Sequence, residues 1–227
     1  MDALDCIFGR RSVRKYTQQP VEWEKVGRII EAGINAPSSG NIQNWRFIVV
    51  TDNESRKKLA DASLQQYWMA SAPVHIVILS DVEKVIQFYG IRGERLYAIQ
   101  NCAACIQNMM LAAYAEGLGS CWIGAFEEEM VVRTLSIPDT NRPQAIMTIG
   151  YPDEKPKQPP RQPLYDKVFV GSFGSRISDI QHVMGYHSAK VQKIVKKGEE
   201  ILQGKHDEKI KRGYHKGKEF LQKVFKK

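Results

Sequence analysis

The chain has 227 residues, of which 43% are hydrophobic and 26% are charged, and its formal net charge is +8. A chain of this length can bury one sizeable core but is short for two large domains, so we expect one globular domain with an appended segment. No apolar run approaches the roughly 18 residues of a membrane-spanning helix, and the N-terminus lacks the basic patch of a secretory leader. We therefore expect a cytoplasmic protein without a transmembrane segment.

The positive charge is concentrated towards the C-terminus. Residues 186–227 hold 13 of the 33 lysines and arginines and 5 of the 25 acidic residues, and the rest of the chain carries 20 of each sign. Apolar residues recur at helical spacing within this basic tail, which predicts helices. The sequence thus indicates a neutral globular domain over residues 1–177 and a basic helical extension over residues 178–227.

The first part of the chain predicts a helix, a loop, a strand and a second helix. Val26 and Ile29 belong to a helical apolar pattern that ends at NAPSSGN, residues 35–41, where proline, serine and glycine favour a loop. FIVV, residues 47–50, is a continuous apolar run that predicts a buried strand. Asn53 is the expected N-cap of the following helix.

The middle of the chain predicts two further strands around a long helix. Residues 74–79 are rich in β-branched side chains and residues 145–151 are apolar, so both predict strands. Between residues 95 and 117 apolar side chains recur at the spacing of a long central helix, and a shorter helix is expected over residues 130–135. The five prolines of residues 152–166 predict an extended or turning segment. Together these elements indicate a mixed α and β body.

The segment RRSVRKY, residues 10–16, places three arginines and a lysine around one serine. The planar guanidinium group matches the oxygens of phosphate or carboxylate, and a serine hydroxyl adds a neutral donor to the same anion. The pattern favours an anion site, and the alternative is a solvated helix end.

The segment PSSGNIQNW, residues 37–45, concentrates serine and amide side chains between a helix and a strand. Amides offer donors and acceptors together, which suits the polar edge of a heterocycle such as the pyrimidine ring of a flavin. Glycine lets the backbone come close to a ligand. The alternative is a loop of ordinary turn formers.

Together with GLGSCWIGAF, residues 117–126, these two segments resemble the nitroreductase family of flavin enzymes in their order and spacing, over roughly residues 4–170. The resemblance implies an α+β fold, a three-layer sandwich whose central mixed or antiparallel sheet is flanked by helices, assembled as an intertwined homodimer. It implies FMN as cofactor and NADH or NADPH as reductant. Because the flavin carries the hydride, we expect ping-pong reduction of a nitroaromatic, quinone or similar small electron acceptor, with no catalytic side chain and no metal.

The resemblance also assigns cofactor-binding residues. Those implied at the phosphate and ribityl end are Arg10, Arg11, Ser12, Arg14 and Arg161. Those implied around the flavin ring, in this family often from the partner subunit, are Pro37, Ser38, Ser39, Asn41 and Gln43. Gln65 would lie against the pyrimidine edge, and the backbone N–H groups of Ile123 and Gly124 would lie near the flavin N5.

The sequence departs from the family pattern at two points. Asn44 stands where many members have proline before the tryptophan, and WIGAF replaces the P-x-E-G segment of the larger members, which indicates the compact branch. Residues 81–97 lie where compact members carry a variable lid. Its aromatic side chains, Phe88, Tyr89 and Tyr97, could stack on an aromatic acceptor or serve as ordinary packing residues.

Other motifs are less specific. Cys102 and Cys105 form a C-x-x-C within the apolar central helix, where packing is expected and a redox or metal role is the alternative. All four cysteines are expected to be reduced. His75 is the one histidine outside the C-terminal region, which argues against a histidine-dependent mechanism.

A hypothesis of a different class centres on the tail. The basic residues of 186–227 could contact nucleic acid or an anionic membrane surface, with the flavin-like body secondary. The tail lacks a clear pattern of stacking aromatic side chains, which does not favour nucleic-acid binding.

Overall fold

The computed structural model of the chain describes residues 1–175. The predicted helices of the basic tail and its predicted contact with a polyanion lie outside the described residues. The chain divides into two compact units, Met1–Gln158 and a second that begins at Pro159. The domain boundary at residues 177 and 178 remains a prediction.

The first unit contains six α-helices and four strands. The helices are α1 (Ala3–Gly9), α2 (Trp23–Ile34), α3 (Asn53–Ala62), α4 (Val82–Arg92), α5 (Ala98–Ala115) and α6 (Glu128–Leu135). The strands are β1 (Trp45–Val50), β2 (Val74–Asp81), β3 (Gly119–Ile123) and β4 (Asn141–Gly150). None of these helices has the length and hydropathy needed to cross a bilayer.

The four strands form one antiparallel sheet in the order β1-β2-β4-β3. Strands β2 and β4 lie at its centre, and their apolar residues are almost completely buried. β1 and β3 are its two outer strands. The first residue of β1, Trp45, pairs with Ser80 near the end of β2. β3 pairs with the C-terminal half of β4, from Gly119↔Gly150 to Ile123↔Ile146.

Helices cover both faces of the sheet. Ile76 and Ile78 of β2 face α2 and α5, where Ile29 and Met109 are fully buried. The alternate residues of β2 face the opposite layer, which α3 and α6 cover. Strand side chains point alternately to the two faces, so β2 is apolar from Ile76 to Leu79, and its two buried polar residues, His75 and Ser80, lie towards its ends. This arrangement confirms the predicted α+β fold of three layers.

A glycine sets the spacing of the two largest helices on the first face. A Cβ atom at Gly33 of α2 would lie 2.7 Å from Cγ of Met109 and 2.9 Å from Sγ of Cys105, both on α5. Any larger residue would push α2 and α5 apart, at a cost in buried apolar contact. The loop that follows α2 is therefore held close to α5.

The predicted elements are confirmed, with corrections at their ends. The prediction of Asn53 as an N-cap is wrong, because the carboxylate of Asp52 accepts the Ser55 N–H at 2.8 Å. The strand predicted at 145–151 begins earlier, at Asn141, and the register shifts between Ile78 and Leu79 where it passes Pro143. Because proline lacks an N–H donor, an irregular pairing is expected there.

Strand β3 was not among the predicted elements. It has only five residues, GSCWI, which follow the turn at Gly117. A segment of this length is too short to show a clear alternation of apolar and polar residues. β3 is defined mainly by its pairing with β4, which is a long-range contact. The lid region is also more regular than expected, because α4 covers residues 82–92 and a π-helical turn covers residues 93–97.

Candidate functional site

The backbone of residues 10–16, the arginine segment, runs along the outer edge of β3. Ser12 forms a parallel bridge with Ser120, and the Val13 N–H donates to the Ser120 carbonyl at 3.0 Å. Further on, Tyr16 forms an antiparallel bridge with Pro152. Backbone pairing therefore fixes this segment at the edge of the sheet and leaves its side chains available for other contacts.

The arginines of this segment have different environments. The Nη1 of Arg11 donates to the carbonyls of Phe8, Gly9 and Arg10 at 2.7, 3.0 and 2.8 Å, so it caps the C-terminus of α1. The guanidinium of Arg14 is exposed and lies 5.8 Å from the centroid of a Trp68 ring. Arg10 is half-buried.

A carboxylate already contacts the backbone of the arginine segment. Oε1 of Glu154 accepts the N–H groups of Arg14 and of Lys15, the latter at 3.1 Å. Two successive peptide N–H groups that point at one oxygen form a small anion-binding concavity. In this structure the carboxylate of Glu154 occupies these two donors, and the guanidinium group of Arg14 is exposed.

Cys121 of β3 and Tyr16 of the arginine segment are buried side by side with other packing residues of this edge. Burial raises the pKa of the Cys121 thiol, against the lowering effects of nearby Arg14 and of a hydrogen bond with Ser12. Burial also raises the pKa of Tyr16, whose hydroxyl donates to the Val13 carbonyl at 2.6 Å. Both groups are therefore protonated at neutral pH and support the segment as neutral packing residues.

A cavity of about 380 Å³ opens beside the arginine segment. Arg10 and Arg11 line one side, and the turn and strand start at residues 117–120 line another, together with Glu154 and Lys155. Small-molecule and cofactor sites occupy about 300–1,000 Å³. Arg10, Arg11 and Lys155 give this cavity positive charge, and Arg14 and the end of β3 lie outside its lining.

The end of β3 approaches the end of α3. Ile123 is buried, Gly124 is exposed, and the Glu127 N–H donates to the Ala62 carbonyl at 2.7 Å. Leu64 and Gln65, which follow α3, both have positive φ angles, of 54° and 58°. Left-handed backbone is uncommon for such residues and is often found at functional sites.

Trp68 extends this neighbourhood to the arginine segment, because it packs against Val13 and Tyr16 and lies beneath Arg14. The structure therefore brings Arg14, the turn of residues 64–68 and the end of β3 to one edge of the sheet.

The loop of residues 37–43, the ring loop, lies elsewhere, immediately before β1. Pro37, Asn41 and Gln43 are exposed, and Ser38 and Ser39 are half-buried. Gly40, Asn41 and Gln43 have positive φ angles of 54°, 56° and 48°. The loop braces itself through two bonds of Gln43, whose N–H donates to Ser38 Oγ at 3.1 Å and whose Nε2 donates to Asn41 Oδ1 at 2.9 Å.

Two buried asparagines connect the ring loop to the core. Oδ1 of Asn101, on α5, accepts the Ser39 N–H at 3.0 Å and the Ser39 hydroxyl at 3.2 Å. Nδ2 of Asn101 donates to Oδ1 of Asn44 at 2.7 Å, and Nδ2 of Asn44 donates to Ser80 Oγ at 2.8 Å. Asn101 is not among the site residues predicted from the sequence, although an asparagine at an apolar position of a central helix is a signal for such a residue.

The ring loop and the arginine segment of one chain are far apart. They lie at opposite edges of the sheet, three strand spacings or roughly 14 Å across. They also lie at opposite ends of β4. Next to the ring loop, Trp45 pairs with Ser80, which pairs in turn with Arg142 near the start of β4. Next to the arginine segment, Ser120 pairs with Ile149 near the end of β4. Seven residues of strand span roughly 20 Å, so the two regions are more than about 20 Å apart.

Arg161, the remaining predicted binding residue, belongs to the unit that begins at Pro159, and it is exposed. Its predicted role at the phosphate stays a prediction. The prediction that Cys102 and Cys105 pack in the core is confirmed, because both are free and buried, and burial raises the pKa of each thiol to about 12.

The described residues fit the flavin nucleotide that the resemblance implies. The arginine segment supplies guanidinium groups and a serine hydroxyl, which is the chemistry that a phosphate monoester requires. The ring loop supplies amide and hydroxyl groups, which match the alternating donors and acceptors of a pyrimidine edge. The two sets of donors lie on different edges of a single chain.

Comparisons with known proteins agree with this chemistry. A sequence model of the Nitroreductase family matches residues 7–151. A protein of Thermus thermophilus named NADH dehydrogenase is 31% identical over 191 residues, which cover 72% of this chain and 93% of the relative.

Solved structures that resemble this chain are also flavin-dependent reductases. An FMN-dependent nitroreductase from Clostridium difficile is 30% identical with a TM-score of 0.65, over 75% of this chain and 99% of that protein. The NADPH:FMN oxidoreductase from Vibrio harveyi, solved in complex with NAD+, is 28% identical with a TM-score of 0.70, over 86% of this chain and 90% of that protein.

Proposed function

This chain belongs to the nitroreductase family, and from that premise we propose that it is an FMN-dependent oxidoreductase that uses NADH or NADPH to reduce a small electron acceptor. The observation that carries the proposal is the meeting of three features at one sheet edge. These are the arginine segment, the turn of residues 64–68 and the exit of β3 at Ile123 and Gly124. Together they offer donors for a phosphate and, at Gly124, exposed backbone for a planar ring.

The residues of the chain would bind and orient the cofactor rather than react. Bound FMN would supply the hydride chemistry, by accepting a hydride from the nicotinamide and passing electrons to the acceptor. Arg10, Ser12 and Arg14 would hold the phosphate through charge-assisted bonds. The backbone at Ile123 and Gly124 would lie along the ring, and Gln65 would reach its pyrimidine edge. Because no side chain has to exchange a proton, the neutral and buried state of Cys121 and Tyr16 is compatible with this function.

The separation of the two binding regions supports a site shared between two chains. More than about 20 Å divides the ring loop from the arginine segment of the same chain, which exceeds the length of one FMN molecule. A second copy would bring its own ring loop to the first copy's arginine segment. The exposed apolar side chains of α1, Leu4, Ile7 and Phe8, would be covered in such a homodimer.

Exposed aromatic side chains beside the two regions favour an aromatic acceptor. Trp122 is on β3 and α4 lies beside the ring loop, where the Tyr89 hydroxyl is close to Gly40, so they would meet across the homodimer. Trp122, just before the ring-binding backbone, is 38% exposed, and Phe88 on α4 is 64% exposed. Tyr89 packs edge-on against Tyr97, with ring centroids 5.1 Å apart. Flat nitroaromatics and quinones would stack on such side chains. Nicotinamide and acceptor would bind at the same place in turn. Double-reciprocal plots of the initial rate against NADH or NADPH, at several acceptor concentrations, should therefore be parallel lines. Intersecting lines would contradict alternate binding.

The cofactor is tested by the visible absorption spectrum of the purified protein, before and after anaerobic addition of NADH or NADPH. Flavin bands that bleach with the reductant and return with air or a quinone would establish the first half-reaction. A colourless protein that neither takes up added FMN nor gains thermal stability from it would overturn the proposal.

The shared site is tested with hybrid dimers. Arg14→Ala damages the arginine segment, and Asn41→Ala/Gln43→Ala damages the ring loop, so each homodimer should have two damaged sites. A mixed dimer refolded from the two variants should regain one intact site, because its undamaged arginine segment and ring loop then meet. If the mixed dimer binds no more FMN than its parents, each site is built from a single chain.

A further inference from the structure

The ring loop is connected to the core by a chain of four polar side chains, Ser80, Asn44, Asn101 and Ser39, which we call the amide chain. Asn44 and Ser80 are fully buried and Asn101 is 3% exposed. Buried amides are expected to be hydrogen-bonded, because their polar atoms have no access to water. Here both amides bond on their nitrogen and on their oxygen.

The amide chain has a fixed direction. The Ser39 N–H can only donate, so Oδ1 of Asn101 faces it. Nδ2 of Asn101 then donates to Oδ1 of Asn44 at 2.7 Å, and Nδ2 of Asn44 donates to Ser80 Oγ at 2.8 Å. If the Asn101 amide were rotated, its NH2 group would face the Ser39 donor and its oxygen would face the Asn44 oxygen. Asn44 therefore orients Asn101, and Asn101 holds the backbone of the ring loop.

The ring loop needs such a support because of its backbone. Gly40, Asn41 and Gln43 are left-handed, and for asparagine and glutamine this conformation is costly unless surrounding structure imposes it. The bonds of Gln43 to Ser38 and Asn41 lie within the loop and cannot fix its position relative to the sheet. The bonds of Ser39 to Asn101 connect it to α5.

We propose that Asn101, oriented by Asn44, is the positioning residue of the cofactor site, because it holds the ring loop in the conformation that meets the flavin. The proposal rests on the proposed function for its consequence at the flavin, but the anchoring of the loop can be tested without it. The same pair explains the departure at residue 44. Proline has no side-chain oxygen to accept the bond from Nδ2 of Asn101, whereas asparagine at this position supplies that acceptor.

The test compares four variants. Asn101→Leu is nearly isosteric but breaks the amide chain, and Asn44→Leu leaves Asn101 without its orienting partner. The double variant Asn44→Leu/Asn101→Leu replaces both buried amides with apolar groups, which can restore stability because neither amide is left unpaired. The matched control is Asn108→Leu, which is the same substitution on the same helix. Asn108 donates to the Ala32 carbonyl at 3.2 Å and does not contact the ring loop.

The first readout is hydrogen exchange of the peptide that covers residues 36–44, measured without flavin. We expect the Ser39 amide to exchange about tenfold faster or more in Asn101→Leu, in Asn44→Leu and in the double variant, and at the wild-type rate in Asn108→Leu. Unchanged exchange in Asn101→Leu would overturn the proposal.

The second readout is the dissociation constant of FMN, measured beside the melting temperature. We expect the constant to rise about tenfold in the double variant even where its melting temperature recovers, and to stay near the wild-type value in Asn108→Leu. Recovery of both stability and FMN affinity in the double variant would mean that the amides are merely structural, and would overturn the proposal. If the wild-type protein binds no FMN, the proposed function fails, and the exchange experiment still decides whether Asn101 anchors the loop.

Discussion

The arginine segment and the ring loop are held by different kinds of bond. The arginine segment pairs through its backbone with β3 and with Pro152, so its conformation does not depend on its own arginine side chains. The ring loop is attached to the core through the side chains of Asn101 and Asn44. We therefore expect the exposed Arg14 to be changed with little loss of structure, whereas the ring loop should lose its shape when a few buried amides are changed.

The two regions also differ in charge. The arginine segment combines guanidinium groups with the Glu154 carboxylate, and it lies beside a turn that a buried histidine supports. The ring loop and its anchor consist of neutral amides and hydroxyls. Changes of pH and charge should therefore act mainly on the first region, and changes of shape on the second.

The largest expected effect is that of acid on the support of the arginine segment. Nε2 of His75 bonds the Met69 carbonyl at 2.8 Å, next to Trp68, and burial, together with nearby Arg56, lowers the pKa of His75 to about 4. An unfolded histidine has a pKa of about 6.5, so between pH 6.5 and 4 the unfolded state takes up the proton and the folded state does not. Stability should fall as the pH drops through this window, by on the order of 3 kcal/mol.

This prediction is checked by urea unfolding at several pH values, followed by tryptophan fluorescence. The control is His75→Gln, which retains a donor for the Met69 carbonyl but does not titrate, so its stability should change less between pH 6.5 and 4. At pH 5 the backbone amide of Ser39 should stay more protected from hydrogen exchange than the amides of the turn of residues 64–68. Equal acid sensitivity of wild type and His75→Gln would contradict the prediction.

The next largest effect separates two arginines that are three residues apart. Arg14→Ala should weaken FMN binding by about 1.5–3 kcal/mol, or roughly 10- to 100-fold, because a charge-assisted bond is lost, while the melting temperature changes little. Arg11→Ala should mainly destabilise α1, because Arg11 caps three of its carbonyls. Fluorescence titration and thermal unfolding measure the two effects, and a greater loss of FMN affinity in Arg11→Ala than in Arg14→Ala would refute this division.

A smaller effect is expected at Gly40 in the ring loop. Its φ angle is +54°, and a Cβ atom there would lie 2.3 Å from the Tyr89 hydroxyl. Gly40→Ala should cost about 1 kcal/mol in stability through the left-handed backbone, and should displace Tyr89 from the loop.

The matched control for this change is Gly27→Ala in α2, where a Cβ atom would meet nothing within 4 Å. Alanine is a better helix former, so Gly27→Ala should stabilise the protein by up to about 1 kcal/mol. Thermal unfolding should thus shift in opposite directions for the two variants. A stabilised Gly40→Ala protein would show that the loop does not need this conformation.

The smallest effect is expected at Glu154. Glu154→Gln keeps an acceptor for the N–H groups of Arg14 and Lys15 but removes a negative charge beside the proposed phosphate site. Repulsion between partly exposed charges in water is about 1 kcal/mol at 4 Å, so FMN affinity should rise severalfold or less. Isothermal titration calorimetry of both proteins with FMN, at low and at high salt, checks this. A lower FMN affinity of Glu154→Gln than of the wild type at low salt would contradict it.

Several parts of the fold could be predicted from local patterns. The apolar run of β2 and the long helical pattern of α5 are strong signals, and both elements were predicted with nearly correct ends. β3 was missed, because five residues after a glycine turn carry no clear period, and its pairing with β4 is a long-range contact. The N-cap was misplaced by one residue, because Asp52 and Asn53 are both good capping residues.

The candidate site shows a similar division. The arginine cluster and the amide-rich loop were visible as residue types, because phosphate and heterocycle recognition require those groups. Asn101 and Asn44 were not identified as a pair, since 57 residues separate them in the chain and only the packing of α5 against the sheet brings them together. The capping role of Arg11 likewise depends on where α1 ends.

By itself, the sequence of this protein determined which segments can form helices and strands, because these follow from local periodicity, and its resemblance to the nitroreductase family predicted which side chains would bind a flavin nucleotide. Tertiary structure alone decided where those side chains lie. The strand order β1-β2-β4-β3 puts the two binding regions at opposite edges of one sheet, and the burial of two amides determines how one of them is held. Both outcomes result from contacts between residues distant in the chain, which a local pattern does not record.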